Sequence, residues 1–379
     1  MASIKVGRGV KAESELVISG TMGYVYVLAP WWKTEYFEIR REVPPPKKLR
    51  VTLKEHYIKL IMELAPILIP TLNRYEHLKK CLESLSRCSW ADQTEVYVAL
   101  DYPPSEKYVE GWKKNKEFLE NCGNMGFKKL HLIKREENYG IWNPGDKGNL
   151  SCLLNDIIKS HDRFIITEDD NIFSPAFLEY MNKGFERYKD DDSVFALCGY
   201  RYFADIKHDE NTFFKQNVDI CGWGLGLWKS KLRAMTYEEF RKRLSLKTFL
   251  KVYRRAGIEK AIYFLNCCHN RWDGHIIDMV NTILCIINDQ DQIMPTVSLV
   301  KNIGFDESSQ NFRSVPDYIK QKFDGQLMSE ASHFDFIGTG YEYYEENQRI
   351  YKDQYPNKLP KMLALKRLIK ALVKVVLYR

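Results

Sequence analysis

Three consecutive carboxylates are the residues of this chain that are best suited to catalysis or metal binding. Glu168, Asp169 and Asp170 directly follow an apolar run at 163–167, so a predicted β-strand ends at them. A run of like charges is usually a solvated loop. Carboxylate oxygens are also the ligands that hard cations prefer, and Mg²⁺ is commonly held by one or two carboxylates together with substrate phosphates. The residues alone leave both alternatives open, a solvated loop or a metal–diphosphate site.

Short apolar strands alternate with helices around these acids. The predicted strands cover residues 67–69, 96–100, 130–133, 163–167 and 194–198. Between these strands, apolar residues recur at the spacing of a helix. Ser174-Pro175 predicts the cap and first turn of a further helix. This alternation predicts an α/β fold with a Rossmann-like, mostly parallel sheet flanked by helices. Ligands bind beyond the carboxyl ends of such strands, which is where Asp101 also lies.

Composition and length set the broad class of the protein. The chain has 379 residues, of which 45% are hydrophobic and 28% charged. This is ordinary globular usage and argues against a disordered or fibrous protein. No apolar run reaches the ~18 residues of a membrane span, and residues 1–20 lack the apolar centre of a secretory signal. The nine cysteines form no C-x-x-C pair, so we expect reduced thiols and a cytoplasmic location.

The positive charge of the chain is concentrated at its end. The net charge is +7, and residues 358–379 contain seven basic residues and no acid, which leaves 50 charges of each sign in the rest. A protein body without a basic excess argues against nucleic acid as a partner.

The same segment has the pattern of an amphipathic helix. Apolar residues fall on one helical face and basic residues opposite: Leu365, Leu368, Ile369, Leu372 and Val376 against Lys366, Arg367, Lys370 and Lys374. We therefore predict that residues 359–379 lie on an anionic membrane surface, which makes the protein peripheral on the cytoplasmic face of the inner membrane. The alternative is a terminal helix that packs on the body with solvated lysines.

Several motifs follow one another in a specific order. They are ILIPTLNR at 67–74, Asn138-Tyr139-Gly140, the three acids followed by Ser174-Pro175, Trp223-Gly224 with Trp228, Trp272-Asp273, and LVKNIGF at 299–305. This series resembles nucleotide-sugar glycosyltransferases of the A-type fold, specifically the bacterial family-2-like transferases related to the N-acetylglucosaminyltransferase I type. The resemblance covers about residues 65–312. It implies an inverting transfer of a hexosyl or N-acetylhexosaminyl group from a nucleotide diphosphate donor, with Mn²⁺ or Mg²⁺.

The resemblance also implies roles for individual residues. Asp170 resembles the metal ligand, and Asp273 in Trp272-Asp273 resembles the general base. The implied nucleotide-sugar-binding residues are Thr71, Asn73, Arg74, Asp101, Asn138, Gly140, Glu168 and Asp169. The implied acceptor-binding residues are Trp223, Gly224, Trp228 and Trp272. Without the resemblance, Asp273 would be interpreted as a helix-capping surface acid, and Trp223 and Trp228 as core aromatics.

General chemistry agrees with these roles. A divalent cation stabilises the negative charge of a departing nucleoside diphosphate, and a positioned carboxylate that accepts the proton of an acceptor hydroxyl contributes roughly 10²–10⁴-fold. We expect a UDP-sugar donor and a hydroxyl of a surface polysaccharide, a lipopolysaccharide or another lipid-linked acceptor. The alternatives are a nucleotidyltransferase, which would need a glycine-rich phosphate loop that residues 70–74 lack, and a catalytically inactive membrane-associated scaffold.

The sequence is predicted to divide into four segments. They are an N-terminal extension of unknown role at 1–64, a nucleotide-sugar-binding half at 65–200, an acceptor-binding half at 201–345 and a basic amphipathic tail at 346–379. One motif departs from the family. After 299–305 the family commonly has a threonine–histidine pair, whereas this chain continues with Asp306-Glu307-Ser308. Any role of that histidine is therefore absent or moved here.

Overall fold

The computed structural model describes residues 63–140, 148–202, 205–232, 236–270, 277–306, 308, 327–354 and 360–378, and the backbone of five strands before residue 53. The chain divides into two compact units, residues 1–63 and 64–379. In the first unit, five consecutive strands form an antiparallel sheet in chain order. They are β1 (Ser3–Val6), β2 (Leu16–Gly20), β3 (Gly23–Val27), β4 (Tyr36–Arg40) and β5 (Leu49–Thr52).

A mixed sheet of eight strands forms the centre of the second unit. Its strands are β6 (Ile67–Thr71), β7 (Glu95–Leu100), β8 (Lys129–Lys134), β9 (Arg163–Ile166), β11 (Val194–Cys198), β12 (Phe213–Gln216), β13 (Leu225–Trp228) and β14 (Asp291–Pro295). The spatial order is β12-β14-β11-β13-β9-β6-β7-β8. Strands β8, β7, β6 and β9 run parallel to one another, as do β11 and β14. The predicted α/β class with a mostly parallel sheet is confirmed.

Helices cover this sheet. They are α1 (Tyr75–Ser86), α2 (Glu106–Asn121), α3 (Asn149–Ile157), α4 (Phe177–Tyr188), α5 (Tyr237–Lys242), α6 (Leu246–Cys267), α7 (Ile277–Asn288), α8 (Tyr344–Gln354) and α9 (Lys361–Leu377). The apolar side chains of α1 recur at helical spacing and are fully buried against the sheet. Helix α4 begins two residues later than the Ser174-Pro175 signal predicts, because Ser174 still pairs through its backbone with Leu299.

A single sheet spans both of the segments predicted at 65–200 and 201–345. Strand β13 lies antiparallel between β9 and β11, and β14 extends the sheet beyond β11. The predicted division at residue 200 therefore runs through one sheet. A second, two-stranded sheet pairs β10 (Asn171–Phe173) with β15 (Val300–Asn302) in antiparallel register. It brings the segment after the three acids next to the 299–305 motif.

The two C-terminal helices pack on the body. In α8, Tyr351 is buried and the Asn347 side chain pairs with both the backbone N–H and the carbonyl of Lys207. In α9, Ala371 and Val375 belong to a buried cluster with residues of α6 and α7. No helix among the described residues combines the length and the apolar composition that crossing a bilayer requires.

Candidate active site

Three neighbouring parallel strands end at the predicted site. Strand β6 lies between β7 and β9 and is parallel to both, so the carboxyl ends of all three meet at one edge of the sheet. Thr71 is the last residue of β6, Asp101 directly follows β7, and the acids at 168–170 follow β9 after Thr167, whose N–H still bonds the carbonyl of Leu68. The topology therefore brings together residues that lie up to about a hundred positions apart in sequence.

Asp170 is the most enclosed of the three acids, with 7% of its surface exposed. One oxygen accepts a hydrogen bond from Nη1 of Arg74 at 2.6 Å, and the other accepts from the Asn302 side-chain amide at 2.7 Å. Gly304 makes this arrangement possible, because a Cβ at that position would stand 1.9 Å from Oδ2 of Asp170. Strand β15 and the turn after it thus complete the site around the metal-ligand candidate.

Arg74 connects Asp170 with the segment that follows strand β15. Besides Asp170, its guanidinium donates to the Gly304 carbonyl at 3.0 Å and to the Ser308 hydroxyl at 3.0 Å. Asp306 lies 3.6 Å from Nη2 of Arg74 and pairs with Nε2 of His77 at 2.8 Å. Burial, followed by the charge of Arg74, lowers the pKa of His77. A histidine of α1 therefore stands beside Asp306, in the segment that follows the 299–305 motif.

Asp169 and Glu168 have fewer donors than Asp170. Asp169 accepts from the Thr71 hydroxyl at 2.6 Å, and Thr71 in turn accepts from Asn115 of α2 at 3.2 Å. Glu168 accepts from the indole N–H of Trp223 at 3.1 Å. The Glu168 side chain reaches solvent but stands in a recess of the protein. Burial, and then the neighbouring charge of Asp170, raises the pKa of both Glu168 and Asp169.

A fourth carboxylate lies close to this cluster. Asp278, in the first turn of α7, accepts a hydrogen bond from the backbone N–H of Gly222, which directly precedes Trp223. Its charge is one of those that raise the pKa of Glu168. Burial raises the pKa of Asp278 itself to about 7. The N-terminal end of α7 therefore lies beside the three acids.

The surroundings of Asp101 differ from those of the cluster. One of its oxygens accepts from the backbone N–H groups of Tyr102 and Tyr139, both at 2.9 Å. The other accepts from the N–H of Gly140 at 2.9 Å and from the Asn138 amide at 3.1 Å. Gly140 has a φ of +69°, which favours glycine. Asp101 therefore fixes the Asn138–Gly140 turn at this edge of the sheet.

The predicted acceptor residues fall in different places. Trp223 is half-buried at the cluster, where its ring also packs edge-on against Tyr200. Gly224 has a φ of +69° and lies against Phe177 and Val300. Trp228 is 4% exposed, faces the Phe185 ring and pairs with Arg163 at the opposite end of β9 from the acids. The structure therefore does not bring Trp228 to the site, and the core-aromatic alternative describes its position.

The remaining predicted site residues are Asn73, Trp272 and Asp273. Asn73 lies in the turn after β6, where its carbonyl contacts α2 so closely that Gly111 has no room for a Cβ. Trp272 and Asp273 lie outside the described residues.

The donor chemistry of the cluster fits a divalent cation. Its carboxylates supply hard oxygen ligands. Burial, and then the neighbouring charge of Asp170, raises the pKa of Glu168 and Asp169, and a cation would favour their ionised forms. Within the described part of the chain, no three Asp, Glu, His or Cys side chains are grouped so as to hold a metal ion by themselves. A cation would thus need the phosphates of a ligand in addition to Asp170, as is common for Mg²⁺.

This chain is similar to known proteins in its fold only. No family model matches it, and no curated protein matches it in sequence. A solved structure of S. aureus TarS 1-349 is 11% identical, with 83% of this chain and 81% of that chain covered and a TM-score of 0.35. The mannosyltransferase PcManGT from Pyrobaculum calidifontis, in complex with GDP-Man and Mn²⁺, is 13% identical, with 83% and 87% covered and a TM-score of 0.32. Likenesses this distant do not identify the activity of this chain.

Several site residues did not emerge from the sequence. Asn302 and Gly304 lie within the 299–305 motif, so the motif could have suggested them. His77 and Asn115 lie on helices α1 and α2, and no local pattern distinguishes them from other polar helix residues. Asp278 follows the Trp272-Asp273 motif by five residues and has no signal of its own. Only the tertiary structure brings these three side chains to the edge of the sheet.

Proposed function

We propose that this chain is an inverting glycosyltransferase. It transfers a hexosyl or N-acetylhexosaminyl group from a nucleotide diphosphate sugar, preferably a UDP-sugar, to a hydroxyl of a surface glycan or a lipid-linked acceptor. The observation that carries the proposal is the position of Glu168, Asp169 and Asp170. They cluster where three parallel strands end, against Thr71 and Arg74. This is the edge at which open α/β sheets bind ligands.

The donor would bind along this edge. Arg74 presents a planar guanidinium beside Asp170, and guanidinium groups suit the oxygens of a diphosphate. Thr71 and Asn73 border the same turn. Glu168 and Asp169 are placed to accept hydrogen bonds from ribose and sugar hydroxyls. Asp101 would act on the nucleoside through the Asn138–Gly140 turn, because four N–H donors already occupy its oxygens.

Asp170 would hold Mn²⁺ or Mg²⁺ together with the diphosphate of the donor. Such a cation stabilises the charge that develops on a departing nucleoside diphosphate. Asn302 fixes the orientation of the Asp170 carboxylate, and Gly304 leaves room for it. Asp306 and His77 then fix Arg74 from the other side, so the guanidinium keeps its place when Asp170 binds a cation.

Asp273 is the proposed general base. It precedes Asp278 by five residues, and Asp278 lies in the first turn of α7 beside Gly222 and the acidic cluster. Helix α7, which begins four residues after Asp273, therefore lies beside the acidic cluster. A carboxylate there would accept the proton of the acceptor hydroxyl as the hydroxyl attacks the anomeric carbon. Trp223 and Gly224, with Trp272, are the proposed acceptor-binding residues, and the half-buried indole of Trp223 offers a face for a sugar.

Donor turnover tests this proposal. Purified protein is incubated with a panel of UDP-, GDP- and other nucleotide sugars, with and without Mn²⁺, and release of the nucleoside diphosphate is measured. We expect Mn²⁺-stimulated release from one donor. Asp170→Asn should lower that release by at least about 100-fold, since the several kcal/mol of charge stabilisation would be lost. The matched control is Asp156→Asn, on the exposed surface of α3, which should retain full turnover.

Three results would contradict the proposal. Release of inorganic pyrophosphate from a nucleoside triphosphate and a sugar phosphate would indicate a nucleotidyltransferase. Unchanged turnover in Asp170→Asn would exclude the cluster as the site. Absence of nucleotide binding and turnover across the panel would favour an inactive scaffold.

A further inference from the structure

Helix α9 docks on the body through only one narrow face. Ala364, Ala371 and Val375 are buried, and Leu368 packs partly against the cluster formed by α6 and α7. The Arg241 side chain also donates to the backbone carbonyl of Val375 at 3.4 Å. Three of these four contacts involve small side chains, which let the helix lie close to the body. The sequence pattern places Leu368 on the apolar face that is predicted to lie on a membrane surface, whereas in the structure it lies at the edge of the docked face.

Another face of the helix carries apolar side chains that are about half exposed or more. We call them the α9 stripe, and they are 48–68% exposed: Met362, Leu365, Ile369, Leu372, Val373 and Val376. They recur at intervals of three and four residues, so they form one continuous surface along about 20 Å of helix, at 1.5 Å per residue. Isolated exposed apolar residues are normal in soluble proteins, but a contiguous apolar surface marks an interaction site.

Basic side chains border the α9 stripe on one side. Lys366, Arg367, Lys370 and Lys374 follow one another around the helix, and α9 contains no acidic residue. Arg367, Lys370 and Lys374 also line a cavity of about 360 Å³ between α9 and the helices α6 and α7, in which Glu259 is the acidic residue. An apolar surface edged by cations matches a bilayer in which acyl chains lie below anionic headgroups.

We propose that α9 binds an anionic lipid surface, with the α9 stripe inserted among the acyl chains and its basic border against the headgroups. A second copy of the chain is a poorer occupant. Pairing two α9 helices through their stripes would bring basic residues that flank the stripe, such as Lys366, near those of the other copy, and α9 contains no acid to offset them. The proposal rests on α9 alone and does not depend on the proposed sugar transfer.

Vesicle flotation of the full-length protein tests the proposal. The probes are vesicles of phosphatidylcholine alone and of phosphatidylcholine mixed with phosphatidylglycerol. We expect tight binding only to the anionic vesicles, and weaker binding at high salt. Ile369→Glu combined with Val376→Glu should lower this binding at least about ten-fold, because two charges would enter the apolar layer. The matched control is Leu327→Glu, a residue that is 82% exposed and lies outside α9.

A second variant tests the basic border. Lys370→Gln combined with Lys374→Gln should weaken binding to anionic vesicles about 30-fold, since each base near such a surface adds roughly 1 kcal/mol. These point variants are preferable to deleting α9, because the deletion would remove Ala371 and Val375 from a buried cluster. Thermal unfolding of each variant checks that the fold is retained.

Two outcomes would overturn the proposal. One is equal flotation of the α9 stripe variant and the Leu327→Glu control. The other is a dimer of the wild-type protein, seen by light scattering, that the α9 stripe variant converts to a monomer, because a second copy would then occupy the surface. Donor turnover without vesicles should be the same in the wild type and the α9 stripe variant. This measurement keeps failure of the lipid proposal separate from failure of the proposed enzyme activity.

Discussion

Asp101 and the acids at 168–170 end two strands that flank β6 in the same sheet, yet their surroundings are opposite. Asp101 is 5% exposed and accepts four N–H hydrogen bonds, which match the roughly four lone-pair sites of a carboxylate. Glu168 and Asp169 each accept one hydrogen bond from another side chain, and both have raised pKa values. The difference separates an acid that organises backbone from acids whose charge is left for a ligand to compensate.

Replacing Asp101 by Asn should have the largest effect on stability. The amide offers one oxygen and would turn its NH₂ group toward two of the four N–H donors that now bond the carboxylate. Two partly buried donors would lose their acceptors. Water can reach them in part, so each loss should cost about 1–2 kcal/mol, and we expect the free energy of unfolding to fall by about 2–4 kcal/mol. Urea unfolding of the purified variant measures this change.

A graded control distinguishes this explanation from a general sensitivity of the region. Asn138→Ala removes one of the four donors, together with an exposed hydrogen bond to the Tyr102 carbonyl, and leaves the carboxylate intact. Because water can replace the amide at this exposed position, the change should cost only about 1 kcal/mol. Equal losses in Asp101→Asn and Asn138→Ala would contradict the assignment of Asp101 as the residue that holds the turn.

Replacing Asp278 by Asn tests the acids with raised pKa values. Burial raises the pKa of Asp278 to about 7, from an ordinary value of 3.8, so the folded protein holds this carboxyl neutral where the unfolded chain ionises it. The resulting loss of stability begins near pH 4, grows as pH rises and is complete above pH 7. Asn does not ionise. We therefore expect the variant to unfold like the wild type at pH 4 and to be more stable by roughly 1–3 kcal/mol at pH 8.

Measuring the free energy of unfolding of both proteins between pH 4 and 8 checks this prediction. Asp92→Asn is the matched control, because Asp92 is exposed and lies outside the cluster. The difference in the free energy of unfolding between Asp92→Asn and the wild type should not grow in favour of the variant as pH rises. A stability of Asp278→Asn that falls relative to the wild type as pH rises would show that the folded protein favours the ionised carboxylate.

The strand ends could be predicted from the sequence because their signals are local. Short apolar runs separated by helical spacing define the strands, and the parallel order of β7, β6 and β9 then brings Asp101 and Asp170 to one edge. The pairing of β13 could not be predicted in this way. Its four residues carry no sign of which strands will flank them. The resemblance predicts Trp228 at the acceptor site, whereas the pairing of β13 with β9 places it in the core, as the alternative interpretation has it.

Helix α9 shows a second limit of sequence patterns. Periodicity identified an amphipathic helix and its basic residues, but it could not decide which face would meet the body. The larger apolar residues, such as Ile369, gave the strongest pattern, whereas the small side chains of Ala364 and Ala371 make the buried contacts. Close approach of two helices depends on small residues, and a hydrophobicity pattern gives those little weight.

Replacing Trp223 by Phe should produce the smallest effect and tests the least satisfied acid. The change keeps an aromatic ring against Tyr200 and removes only the N–H that bonds Glu168 at 3.1 Å. Since one hydrogen bond contributes about 1 kcal/mol, we expect donor turnover to fall about 5-fold and the free energy of unfolding to fall by no more than about 1 kcal/mol.

The matched control for this change is Trp112→Phe on α2. The indole N–H of Trp112 is buried and has no hydrogen-bond partner among the described residues, so its removal should leave turnover unchanged. If both variants lost turnover equally, the loss would reflect ring size and packing, and the bond to Glu168 would have no part in it. If only Trp223→Phe lost turnover, the indole would orient Glu168 toward the donor. The single donor at Glu168 would then orient a residue that binds the ligand, whereas the four donors at Asp101 stabilise the fold. The two sites would differ in function as well as in hydrogen bonding.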